Sequence, residues 1–222
     1  MSTLASVIIR DVTSARPAAG IAGRLFFATD TSKTWRDNGT SWDDVSSGGA
    51  GSNVISSIVL SSAAPSFSFT GIPGTFRDLV LRIDGRGDVS ATAVIIAITF
   101  NGDSGANYDE VGHYANTGWN QSTANAITGG VFAGNLATMP AATAAANYSG
   151  GIEFRVFNYA GTTFYKRGTW FGAYLNGSVS TANFYETAGG FFWRNTAAIT
   201  SITASTASGN FAAGSSAVLY GM

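Results

Sequence analysis

Catalysis or metal binding needs acids, bases, nucleophiles or ligands that converge, and this chain offers few of them. There is one histidine, His113, so a Ser-His-Asp relay would have to pass through it. No G-x-S-x-G elbow leads into a helical pattern, and His113 sits in an alternating stretch, where it reads as a structural strand histidine. Asp103, Asp109 and Glu110 gather around the turn between Phe100 and Tyr108. Three carboxylates plus loop carbonyls would suit Ca²⁺, which takes about six to eight oxygens. Their spacing departs from an EF-hand loop, and Asn101-Gly102-Asp103 also reads as a turn held by its own Asx side chains. A glycosidase would need two carboxylates flanking one cleft, but the 13 acidic residues are thinly spread over turns and alternating strand positions. Arg86-Gly87-Asp88 is good turn chemistry before it is a recognition tripeptide.

Aromatic side chains are the stronger signal. Trp119, Trp170, Phe191, Phe192 and Trp193, with Tyr114 and Tyr148, could line subunit contacts or a sugar-stacking surface, although core packing claims most of them. Trp119 lies in a polar stretch and is the candidate for a surface contact.

Composition narrows the setting. Hydrophobic residues make up 45% and charged residues only 11%, against roughly 25% charged in ordinary domains. The 28 glycines and 4 prolines suit many short strands joined by tight turns. A net charge of −1 gives no field to recruit nucleic acid. The absence of cysteine removes disulfides, thiolate metal sites and thiol nucleophiles. Met1 to Arg16 lack the basic start and apolar core of a signal peptide. No uncharged apolar run approaches the roughly 18 residues of a membrane helix, so membrane insertion is not expected.

Along the chain, residues 1–22 read as an N-terminal arm with an apolar run, Val7-Ile8-Ile9. Residues 23–46 (GRLFFATDTSKTWRDNGTSWDDV and one more) read as three short strands, with Asn38-Gly39 as the hairpin signal. Such a meander is small for independent stability, so it is expected to pack against copies of itself or against what it attaches to. Residues 47–53 are a Gly/Ser linker by composition.

From residue 54 to 222 the pattern is strand after strand, about nine to ten in all. Leu79, Leu81 and Ile83 alternate with polar neighbours, and so do Ile152, Phe154 and Val156. Thr92 to Asn101 is nearly all apolar, as in a strand covered on both faces. Residues 117–150 are weakly periodic and read as a long functional or contact loop. The tail from Ile199 to Met222 reads as strand, tight loop, strand, a closing pair. The expected fold is all-β: an antiparallel jelly-roll sandwich behind a short arm and meander.

Four stretches, in order, resemble virion surface proteins of tailed bacteriophages: GRLFFATDTSKTWRDNGTSWDDV, IPGTFRDL from Ile72, FNGDSGANY from Phe100, and the terminal GNFAAGSSAVLYG. The resemblance covers most of the chain and implies a non-enzymatic structural protein in the virion, made in a host cytoplasm. It implies a homotrimer, anchored to other virion proteins by its N-terminal part, with the C-terminal knob displayed as a capsid decoration or short head fibre. The alternative is a tail-associated receptor-binding protein that contacts a host-surface glycan; a lectin or depolymerase is the third class. Attachment would fall to Val7, Ile8, Ile9, Leu25, Phe27, Trp35 and Trp42. No cofactor is implied.

Overall fold

The structure, a computed structural model, describes residues 8–31, 33–45, 53–132 and 138–222; Val7 lies outside them. The chain divides into two compact units, Met1–Gly51 and Ser52–Met222.

The first unit is a four-stranded sheet in the order β1 (Ile8–Asp11), β2 (Leu25–Ala28), β3 (Thr34–Asp37), β4 (Trp42–Asp44). The apolar run expected in an arm is thus a strand, and it pairs parallel with β2, Ile9 facing Phe26. Parallel neighbours require a crossover of about a dozen residues, and the segment between Asp11 and Leu25 supplies it. This crossover folds back over one sheet face. Trp42 Nε1 donates to Pro17 O at 2.8 Å, and the Arg16 guanidinium lies 4.0 Å from the Trp35 ring centre. The meander therefore covers one of its faces with its own chain. The Asn-Gly turn is also not the two-residue hairpin expected. Only Gly39 takes a positive φ, +96°, and Asn38 Oδ1 instead accepts from Thr40 N and Ser41 N at 2.9 and 2.8 Å, an Asx-type loop.

The second unit is an antiparallel β-sandwich. Its strands are β5 (Asn53–Val59), β6 (Ser66–Thr70), β7 (Asp78–Gly85), β8 (Ala93–Phe100), β9 (Tyr108–Ala115), β10 (Trp119–Ile127), β11 (Val131–Phe132), β12 (Thr138–Pro140), β13 (Gly150–Phe157), β14 (Lys166–Leu175), β15 (Phe184–Trp193), β16 (Ser201–Thr206) and β17 (Ser216–Gly221). The larger sheet runs β10-β9-β15-β14-β13-β7-β17-β5. The smaller runs β11-β8-β16-β6, with β12 also on β8.

The period-2 pattern sets the layers. Leu79, Leu81 and Ile83 of β7, Ile152, Phe154 and Val156 of β13, and Ala217 and Leu219 of β17 form one wall of the core. Phe67, Phe69, Ile96, Ile98, Phe100 and Ile202 form the other. Phe100 joins the walls, its ring centre 5.8 Å from Phe191 and 5.6 Å from Trp193. In β8 the even positions Val94, Ile96, Ile98 and Phe100 are all buried and so is Ala97, while Ala93, Ile95 and Thr99 are half-buried; the strand is central in its sheet and its second side is covered in part. Two glycines make room for large rings in the cross-strand pairs Trp170–Gly189 and Gly168–Phe191. A Cβ on Gly189 would sit 2.3 Å from Trp170, and one on Gly168 2.4 Å from Phe191.

Two expectations change. Residues 117–150, read as a loop, contain β10, β11 and β12; β10 is a polar edge strand with little buried surface to betray it. The closing pair is not a hairpin, because β16 lies between β6 and β8 in one sheet and β17 between β5 and β7 in the other. The connection crosses the sandwich, and its Phe211 is fully buried against Phe67, ring centres 4.6 Å apart.

Candidate binding faces

The residues with possible chemistry are mostly spent on architecture. Asp103 Oδ1 accepts from Gly105 N at 2.8 Å, and its Oδ2 from Asn107 Nδ2 at 2.9 Å and Trp193 Nε1 at 2.7 Å. The Trp193 bond, joined by those from Gly105 and Asn107, holds the Asp103 carboxyl below its ordinary value despite partial burial. Asp109 accepts from Ala126 N and lies 3.4 Å from Arg194 Nε, while Glu110, the next residue along β9, faces the core and is buried. The three carboxylates of the possible Ca²⁺ site therefore do not converge. No group of three metal-ligating side chains occurs among the described residues.

The Arg86-Gly87-Asp88 tripeptide is a structural corner. Arg86 donates to the carbonyls of Ala144, Ala145 and Tyr148 at 2.5, 2.8 and 3.0 Å. Asp88 accepts from Asn210 N and Nδ2 at 2.7 and 2.9 Å. A Cβ on Gly87 would sit 2.5 Å from Val94.

One buried titratable group had no sequence signal. Lys166 is almost fully buried, donates to Thr196 O at 3.0 Å, and has its pKa lowered by burial. Only its register position, on the core side of β14, could have revealed it.

The attachment candidates separate by face. Ile9, Phe26, Trp35 and Trp42 alternate onto the side covered by the crossover; Phe26 and Trp42 meet edge to face at 6.1 Å, and the Arg24 guanidinium lies 5.0 Å from the Trp42 ring centre. Trp35 and Trp42, both half-buried, thus pack against the module's own crossover. Ile8, Leu25 and Phe27 fall on the opposite, open side with Arg10 and Arg36, and Ile8 and Phe27 are exposed.

The covered side is organised by a residue the sequence reading passed over. Asp37, fully buried, accepts from Gly20 N, Ile21 N and Gly39 N at about 3 Å and from Arg24 at 2.8 Å. Burial by itself would raise this carboxyl. The three backbone donors and the guanidinium outweigh it and bring the pKa down to about 2. The G-R-L and D-N-G-T signatures were the available signal, since Arg24 and Asp37 are their charged members.

On the sandwich, the outer face of the larger sheet is uncovered among the described residues. It carries Trp119, 74% exposed, with Val111, Phe171 and Phe192 also exposed. His113 packs on Trp119, ring centres 4.7 Å apart. Tyr148, Tyr114, Trp170, Phe191 and Trp193 are wholly or partly buried. Two small-residue tracks, Gly190-Ala188 on β15 and Gly151-Ala173 across β13 and β14, leave shallow grooves on either side of Phe171. Such a surface is suited to binding by stacking and side-chain hydrogen bonds.

No protein-family model matches the chain, and no curated protein matches it. Among solved structures it is similar to an exo-inulinase from Aspergillus awamori, at 12% identity and a TM-score of 0.38 over 89% of this chain. The match spans 34% of that enzyme's chain, and a likeness at this level carries no argument about fold or activity.

Proposed function

We propose that this chain is a non-enzymatic structural protein of a tailed-phage virion, held on the particle by its N-terminal unit and displaying the sandwich as a homotrimeric capsid decoration or short head fibre. The observation that carries the reading is the open face of the N-terminal unit. The virion-like signatures around Arg24, Asp37, Asn38 and Trp42 fold a separate compact unit. That unit leaves Ile8 and Phe27 exposed on the side opposite its own core. A small module with one finished and one unfinished face suits an attachment role.

The test uses the full-length chain and purified particles of the phage that encodes it. The chain should copurify with particles, and the double variant Ile8→Asp/Phe27→Asp should remain in the supernatant while keeping its circular-dichroism spectrum. Normal incorporation of that variant would remove the open face from the attachment role. Absence of the wild-type chain from particles would remove the virion reading. Quantifying copies per particle then separates the two placements: very many copies fit decoration, and a handful fit the tail.

A further inference from the structure

We propose that the trough along β9, β10 and β15 on the outer face of the sandwich is a binding site for an uncharged oligosaccharide. Two contiguous grooves of about 500 and 530 Å³ share Val111 and Gly190. Each lies within the range of about 300 to 1,000 Å³ that small-ligand sites occupy. Trp119 stands at one end with His113 packed on it, and exposed Phe192 stands at the other.

The floor is low because Gly190 has no side chain there: a Cβ built on it would meet only Gly168 O, at 3.5 Å. The opening is therefore not a packing need of the sheet. One wall is the outward row of β10, where Trp119, Gln121, Thr123 and Asn125 alternate along the strand. Trp119 is opposite Ala115, Gln121 opposite His113 and Thr123 opposite Val111.

The chemistry of this lining selects the occupant. β10 has no charged residue in its nine positions, and at the far end Asp109 is already paired with Arg194. Exposed Arg167 lines the second groove from its other side, over the Phe157 ring, so a ligand lying along the β10 wall itself meets amides, hydroxyls and rings rather than charge. The amide and hydroxyl side chains argue against a purely apolar ligand, which would leave them desolvated without hydrogen bonds. An extended peptide pairs with a sheet through a free strand edge; β10 has such an edge on its outer side, but the two grooves lie on the face between β10 and β15, where the backbone groups are committed to the ladder. A pyranose ring has a flat apolar face to stack on indole and equatorial hydroxyls for planar amides and hydroxyls to bind. Trp119, Gln121, Thr123 and Asn125 supply that combination in one row. The seven residues from Trp119 to Asn125 span roughly 20 Å at strand rise, long enough for an oligosaccharide rather than a single sugar.

The inference concerns the sandwich alone and does not depend on the virion reading. Labelled full-length protein is applied to a printed panel of neutral hexose and N-acetylhexosamine oligosaccharides. Trp119→Ala and Gly190→Val are run beside it, the second filling the floor without touching the core. The expected result is binding to a subset of the panel, lowered at least tenfold by each substitution while thermal melts stay unchanged. Absence of binding across the panel would overturn the proposal, and so would binding that survives both substitutions. A change of molar mass by light scattering in either variant would also overturn it, by assigning the face to contacts between copies of the chain.

Discussion

Among the described residues of the N-terminal unit, the fully buried groups of any size are one phenyl ring, Phe26, and one carboxylate, Asp37. In the sandwich they include Trp193, Tyr108, Tyr159, Phe67, Phe100, Phe154 and Phe211. The larger unit follows the ordinary route: two apolar walls and a core that excludes water. The smaller one has too little apolar area for that. It closes its sheet with a carboxylate that gathers three backbone N–H groups and a guanidinium, and with Arg16 and Arg24 lying on tryptophan rings. Small size moves the burden from burial, which is non-directional, to hydrogen bonds, which depend on geometry. The two units should therefore fail to different insults.

The largest expected effect is on the sandwich. Phe154→Ala removes a ring that is 2% exposed and should cost about 3–5 kcal/mol in a urea titration, with hydrogen-exchange protection in the N-terminal unit unchanged. A loss of protection in both units would refute their independence.

Next is Asp37→Asn, which keeps the shape and removes the charge. Protection should fall for the amides of Gly20, Ile21 and Gly39 and spread through β2 and β3, leaving the sandwich melt where it was. If those amides keep their protection, the carboxylate is not the organiser.

The smallest effect is the acid response. The Asp37 carboxyl titrates near 3.8 when unperturbed and at about 2 in the fold. Its contribution is complete above the higher value and disappears as pH falls toward the lower one. Asp78, Asp88 and Asp103 of the sandwich are also lowered, so both units weaken in acid. Between about pH 4 and 2 the N-terminal unit should lose protection first, because a larger share of its stability rests on one carboxylate. The reverse order, followed by amide exchange, would count against the comparison.

Legibility in the sequence followed the same divide. Strands with an apolar alternating face, such as β7 and β13, could be read to within two or three residues because burial writes a period-2 pattern. β10 could not, since an edge strand with a hydrated outer face buries too little to enforce one. The partners of β16 and β17 were hidden for another reason. Both carry the alternation of a half-buried strand, and alternation states which face is buried but not in which sheet. Asp37 stands within a signature but carries no mark of its role, because a turn aspartate looks the same in sequence whether it caps its own loop or collects donors from a crossover 16 residues away. Trp119 was legible as an aromatic without a hydrophobic context, but the glycine floor beside it needed the β9–β15 register to be seen.

The placement of β17 has a consequence for the order of events during synthesis. Among the described residues β5, the first strand of the sandwich, pairs in its sheet only with β17, and β7 has β17 as its second neighbour. While the chain emerges, β5 has no partner and β7 shows an open edge to every nascent copy nearby. Such an edge accepts strands from other chains as readily as its own. The larger sheet becomes safe from that exchange only when β17 arrives, so the interval between the synthesis of β5 and that of β17 is when the sandwich is most exposed to misassembly.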